Sequence, residues 1–369
     1  MVPITTEFGW SRAEFQLVIL FSTGAGVITA PIVGSLVDRV GVRRMALSGL
    51  VGLAIALALA SRSSGDLWMM YLSYSLMAIL GAGTIPVTWT RAVTATFFEQ
   101  RGLALGIMLS GTGICAIVIP QYTVWLVEQF GWRTAYIGLA ALPLAFAGPL
   151  VFMFFHPVTI DSEKPQEKAE METGLTLAEA ISGYRFWVLL LSIFLVYTAM
   201  SGIVPNLIPS LTDQGIQPQR AATVISIFGV SVIAGRLIVG YLVDHYWAPG
   251  VAAIAISLSV AGSLILLFDP VYVLACFAGG LLGFAAGAEL DLMSFLAAKY
   301  FGLRHYSKIY SWLYAALAMA SGIAPSLFAL VYDKTGGYTI GFMYCVLCFS
   351  TSSLLLLFLG RYPRDFEKS

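Results

Sequence analysis

The sequence predicts an all-α membrane protein made of two similar helical bundles, and three observations predict it. Of 369 residues, 59% are hydrophobic and 11% charged, whereas soluble domains carry roughly 25% charged residues. A soluble fold of this length could not hide so much apolar surface, but lipid solvates it. The apolar residues gather into eleven runs, each near the ~20 residues that a spanning helix needs. Finally, the second half of the chain repeats the first at an offset of 206 residues.

The runs fall at about 15–37, 45–61, 67–90, 102–127, 134–155, 186–209, 221–243, 248–268, 271–296, 307–331 and 338–360. Pro31, Pro86, Pro120, Pro205, Pro209 and Pro325 lie inside them. They do not argue against helices, because neighbouring helices can satisfy the backbone groups a proline frees. The connections are short and polar. The exception contains DSEKPQEKAEME and is expected to be a solvated linker, dividing the chain into a first bundle (1–157), a linker (158–184) and a second bundle with a tail (185–369).

Basic residues predict the orientation, since cytoplasmic loops carry the excess of Lys and Arg. One set of alternate connections holds fourteen of the twenty, among them Arg39, Arg43, Arg44, Lys164, Lys168, Lys299 and Arg361. The opposite set holds five (Arg12, Arg62, Arg133, Arg220, Lys334), and Arg236 lies within a run. The linker and the C-terminal tail are therefore expected in the cytoplasm and residue 1 outside.

The repeat is visible in pairs of positions. Gly9 matches Gly215, GSLVD (34–38) matches GYLVD (240–244), and Gly131-Trp132 matches Gly337-Tyr338. Each half is then one copy of a six-helix unit, a parallel repeat about the membrane normal. The second copy starts with the run at 186–209, whose partner would precede residue 1. Eleven of twelve helices are expected, with the first absent. The opening MVPITTEFGW has no basic region leading into an apolar core, so no signal peptide is expected.

Between the first two runs stands Gly34-Ser-Leu-Val-Asp38-Arg39-Val-Gly41-Val-Arg43-Arg44. Gly34 permits close helix approach and Gly41 a tight turn. Asp38 can face a helix N-terminus, where the dipole favours an anion. The string resembles the G-x-L-x-D-R-x-G-x-R-R loop signature of the major facilitator superfamily at every fixed position. That resemblance, which covers the whole chain, implies the family's fold: two pseudo-symmetric six-helix bundles around a cavity, with this loop as a conformational latch. The second copy keeps Gly240 and Asp244 but has His245-Tyr246-Trp247 in place of the basic residues, which implies an asymmetric latch. A narrower resemblance rests on EFGWSRAEF (7–15), TRAVTATFFEQRGLALGI (90–107) and the Arg in GRLIVGYLVD (235–244). These are similar to the branch containing oxalate–formate antiporters and monocarboxylate transporters. There the Arg of this helix binds the substrate carboxylate, which places that role on Arg236.

Ionisable residues inside spans are costly and mark substrate or proton pathways. Arg236 lies about 22 Å into its helix, and Glu289 and Asp291 about 27–30 Å into theirs, at 1.5 Å per residue. Those depths allow an ion pair, but residues two apart do not share a helix face. At most one acid should face the cavity while the other faces a neighbouring helix. Arg236 is expected to attract an anionic substrate, and one of the two acids to carry a coupled proton. The alternative is a structural bridge, or snorkelling of Arg236; snorkelling is the expectation for Arg91. Trp89, Gln121, Tyr197 and Asn206 are further candidates for a substrate cavity, with Thr84, Thr88, Tyr122, Trp312 and Tyr314 behind them; packing is the alternative for each. Gly279, Gly283 and Gly287 make a G-x-x-x-G-x-x-x-G face expected to pack closely on another helix.

Several classes of function are disfavoured. Net charge is zero, so no nucleic-acid partner is expected. Cys115, Cys276, Cys345 and Cys348 all lie inside apolar runs and suggest neither disulfides nor a metal. The GAG and GTG triplets at 24–26, 81–83 and 111–113 lie mid-span and follow no strand, so they are not phosphate loops. With no catalytic constellation, an enzyme is not expected, and neither is a cofactor. The expected function is secondary active transport by alternating access, of a small organic anion such as a monocarboxylate, coupled to protons or exchange. The alternatives are transport of a neutral or amphipathic compound and a non-transporting sensor or subunit. The partners would be the lipid bilayer of the cell membrane, a small-molecule substrate and protons, with the protein a monomer.

Overall fold

The computed structural model describes residues 2–10, 12–97, 100–154, 173–268 and 270–363. Among them the regular structure is helical. The helices are α1 (Val2–Phe8), α2 (Arg12–Val40), α3 (Val42–Ala60), α4 (Leu67–Leu80), α5 (Pro86–Thr96), α6 (Arg101–Leu142), α7 (Gly148–Phe154), α8 (Leu177–Ser182), α9 (Tyr184–Asp213), α10 (Pro218–His245), α11 (Ala248–Leu267), α12 (Tyr272–Phe301), α13 (Tyr306–Thr335) and α14 (Thr339–Leu357). A 3₁₀ turn, Gly81–Thr84, joins α4 to α5. Gly131, at φ 80°, breaks α6 into two passes.

Ten described helical stretches are long and apolar enough to cross a membrane. The remaining pass, at the start of α6, is apolar over Arg101–Cys115. The bounds keep the repeat's offset to within a residue: α2 answers α10, α3 answers α11, α4 with α5 answers α12, and the first pass of α6 answers α13. The counterpart of α9 in the first half is α1, which matches only its last residues. Most of the expected linker, 158–172, lies outside the described residues. The part after it is tied down: Gly174 bridges Gly302, Leu175 N donates to Phe301 O at 2.8 Å, and Thr176 and Glu179 form a capping box at the start of α8.

The chain forms two compact units. The first comprises Met1–Ala92, Ile114–Glu163 and His305–Ala318. Its α2 packs along α4, and α3 meets the 3₁₀ turn where Gly49 and Gly83 bring two backbones together. Ile4, Phe15, Val18, Met70, Tyr71 and Trp132 form a core at one end, where α1 is stapled down. Trp132 Nε1 donates to Glu7 Oε2 at 2.6 Å and Arg133 Nη1 to Glu7 Oε1 at 2.7 Å. These two bonds hold the Glu7 carboxyl below the usual carboxylate range. The acid recurs 206 residues on as Asp213, but with a different donor: Tyr332 donates to it at 3.1 Å, its ring tilted against Tyr338, the counterpart of Trp132.

The second unit comprises Val93–Gly113, Lys164–Arg304 and Met319–Ser369. Its tightest seam joins α10 and α12. A Cβ at Gly279, Gly283 or Gly287 would run into the carbonyls of Val224, Phe228 and Val232, and one at Gly235 into that of Phe284. Small residues at four-residue spacing let the backbones meet, which is how membrane helices gain packing energy without a hydrophobic drive. On the other side, α9 and α14 are joined by a hydroxyl pair, Ser192 Oγ to Ser352 Oγ at 2.6 Å.

Candidate functional site

Arg236, on α10, is 6% exposed. Its Nη1 donates to Thr112 Oγ1 at 2.7 Å and to the carbonyl of Leu109, both on α6. Gly106, one turn earlier on α6, is what allows this approach, since a Cβ there would lie 2.6 Å from the Arg236 carbonyl oxygen and 3.4 Å from Asp291 Oδ2. Among the described residues Arg236 Nε has no hydrogen-bond partner, and neither does either carboxylate oxygen of Asp291. The guanidinium hydrogen bonds go to α6 and not to Asp291. A guanidinium has five donors in a planar fork. Here Nη1 is engaged by α6 and Nε is not; a fork of this kind can grip a carboxylate-like group with two bonds.

Glu289 faces elsewhere. It lines a cavity of about 30 Å³ with Tyr197 and Ser192 of α9, so two of the candidate residues meet there, away from Arg236. The other candidates are engaged locally. Asn206 Nδ2 donates to Gly202 O at 2.8 Å in its own helix. Trp89 Nε1 donates to Thr84 O at 2.9 Å, and its ring packs on a core cluster with Ala46, Leu50 and Val151. Gln121 lies on α6, but its side chain is outside the described residues.

The loop motif turns at Gly41, φ 89°. Gly34 lies against Ser307 and Ser311 of α13. Asp38 Oδ2 accepts from Lys308 N at 3.2 Å, in the first turn of α13, and Asp38 Oδ1 lies 3.6 Å from Arg91 Nε. Arg91 thus pairs with the motif's carboxylate instead of snorkelling. Arg43 Nη2 donates to Phe152 O at 2.7 Å, while Arg39 and Arg44 are exposed. The second copy is the mirror of this cap. Asp244 accepts from Gly102 N at 2.7 Å and Leu103 N at 2.9 Å, in the first turn of α6, while Gly240 packs on Gly102. Position 38 caps 308, and position 244 caps 102: one relation applied twice at the repeat's offset. The copies differ in their basic residues and keep the carboxylate cap in common.

Sequence reasoning missed Gly106, Leu109, Thr112 and the pairing of Arg91. The sequence marks RGLALGI and the GTG triplet at 111–113 as segments, but nothing in either says which helix it meets.

The family model described as Major Facilitator Superfamily matches residues 1–247 and 189–369, and the chain belongs to that superfamily. It is 24% identical over 303 residues to the uncharacterized MFS-type transporter YhjX of Escherichia coli K12, covering 80% of this chain and 73% of that protein. It is 25% identical over 327 residues to monocarboxylate transporter 12 of Mus musculus, covering 78% of this chain and 66% of that one. Among solved structures, the E. coli fucose:proton symporter FucP superposes with a TM-score of 0.76 at 16% identity, covering 98% of this chain and 93% of FucP. The fold and family are those of a multi-pass membrane transporter.

Proposed function

We propose that this transporter moves a small organic anion, with a monocarboxylate as the preferred class, and that the anion is held by Arg236. The observation that carries the reading is a buried guanidinium held at Nη1 by Leu109 and Thr112, with Nε unengaged and a carboxyl nearby. An isolated buried charge is expensive, so an anionic solute gains most of its binding energy by completing this site. Asp291 supplies the coupling group: protonated, it leaves the cation to the substrate; ionised, it competes for it. Similarity to a protein named as a monocarboxylate transporter supports the same class. In this reading the end bearing Arg39, Arg43, Arg44 and Lys299 is cytoplasmic, and the Asp38 and Asp244 caps form and break as the protein changes access state.

The test is uptake of labelled mono- and dicarboxylates into proteoliposomes under an imposed proton gradient. Arg236→Gln should lower anion uptake on the order of ten- to a hundredfold, the equivalent of roughly 1.5–3 kcal/mol for a charged hydrogen bond. Unchanged uptake in the variant, or none in folded wild type, would overturn the reading. A second reading, a neutral amphipathic solute, is favoured by an apolar cleft of about 390 Å³ on α2 and α4, lined by Phe21, Gly24, Ile28 and Ile79. It expects transport indifferent to Arg236→Gln.

A further inference from the structure

Glu289 is the buried acid that the Arg236 site leaves unused. Two residues from Asp291, it is turned about 200° round α12 from it, and it looks into the interior of the second unit. Glu289 is 7% exposed, and its Oε1 has no hydrogen-bond partner among the described residues. The cavity it faces measures about 30 Å³.

We propose that Glu289 is a proton-binding site in its own right: its carboxyl holds a proton and a hydrogen-bonded water inside the second unit, and exchanges that proton through its own cavity, away from the Arg236 site.

The elements packed round the cavity decide this. Tyr197 of α9 is the other titratable group in the lining; α11 contributes Ala252 and Ile256, and α14 contributes Leu356. Among the described lining residues there is thus no cation to balance a carboxylate. A carboxylate buried without a partner is far more costly than a neutral acid bonded to water. A sodium or potassium ion would need several oxygen ligands, which this apolar lining does not supply. A water needs roughly 10–15 Å³ on this measure and two or more polar partners. The volume suffices, and Glu289, Ser192 and Tyr197 are the partners. Ser192 is itself held by Ser352 at 2.6 Å, so its hydroxyl is fixed in place.

The lining also gives a direction. On α12 it runs from Glu289 to Leu296, about 10 Å toward the helix's C-terminal end. Leu356 is one residue from the end of α14, and α9 and α11 contribute residues from their first halves. All of these lie toward the end of the bundle that carries Arg185, Lys299 and Arg361. A proton taken up here does not compete with an anion for Arg236. Its part in coupling rests on the transport reading above, but the site does not.

The experiment is infrared difference spectroscopy of the full chain in lipid, in H₂O and D₂O, on a pH step. The expected result is the carbonyl band of a protonated carboxyl in wild type at neutral pH. It should be lost in Glu289→Gln, kept in Asp291→Asn and shifted on exchange into D₂O. Glu289→Asp, which keeps the acid, should move the band, and serves if the glutamine variant does not fold. No such band in wild type, a band whose intensity is unchanged in Glu289→Gln, or one indifferent to D₂O overturns the proposal. A Glu289 band in a protein that takes up no anion keeps the site and sinks its coupling role. Anion uptake with no band sinks the site alone.

Discussion

At the scale of single residues, a charge inside an apolar run is visible at once, but its partner is not. Arg236 stood out because its run holds no other charged side chain. Thr112, which fixes it, is 124 positions away and looks like any helix threonine. Arg91 shows the converse. Its position near a run's end suggested a side chain reaching for solvent, yet Asp38 lies 3.6 Å from it, and a partly buried cation is held better by a carboxylate than by a long reach to water. The staple at Glu7 gives a prediction at this scale. Its carboxyl is held below the usual range, so its contribution to stability is complete above the ordinary glutamate pKa of about 4.3. That contribution is lost as pH falls through the lower folded value. Thermal unfolding of the wild type in detergent should therefore lose more stability on acidification below about pH 4 than unfolding of Glu7→Gln. Parallel pH dependences in the two proteins would show that the staple carries no such weight.

At the scale of elements, period is the informative signal. The glycines at 279, 283 and 287 announced a face of α12 made for close approach, and that face meets the carbonyls of α10. The pattern named the face but not the neighbour, because many helices could have supplied a carbonyl row. Gly283→Leu should destabilise the second unit by about 1–3 kcal/mol, the usual cost of overpacking, read as a lower unfolding midpoint. An unchanged midpoint would mean that the seam opens without cost. The linker's end shows what composition leaves out. Its charged stretch lies outside the described residues, but just after it Gly174 and Leu175 are bonded to the Gly302 turn, a contact carried by backbone groups that side-chain composition does not reveal.

At the scale of the whole molecule, the repeat organises everything. Helix bounds and the caps at Asp38 and Asp244 recur at one offset, and so do the acids Glu7 and Asp213, although their donors differ. Orientation belongs to this scale, and it is tested with single cysteines in a background carrying Cys115→Ser. Arg62→Cys should react with an impermeant thiol reagent in intact cells, and Arg44→Cys only after permeabilisation. The reverse pattern would overturn the orientation drawn from the basic residues.

Composition, run length and the loop signature were enough to establish a helical membrane transporter and its superfamily. Those properties follow from what lipid tolerates: apolar side chains in runs of about 20 with the backbone bonded internally. They are local, and so legible along the chain. Which acid looks toward Arg236 and which into a separate cavity was decided only by tertiary structure. A helix sets the angle between Glu289 and Asp291, but only packing supplies the α6 backbone on one side and the α9, α11 and α14 walls on the other.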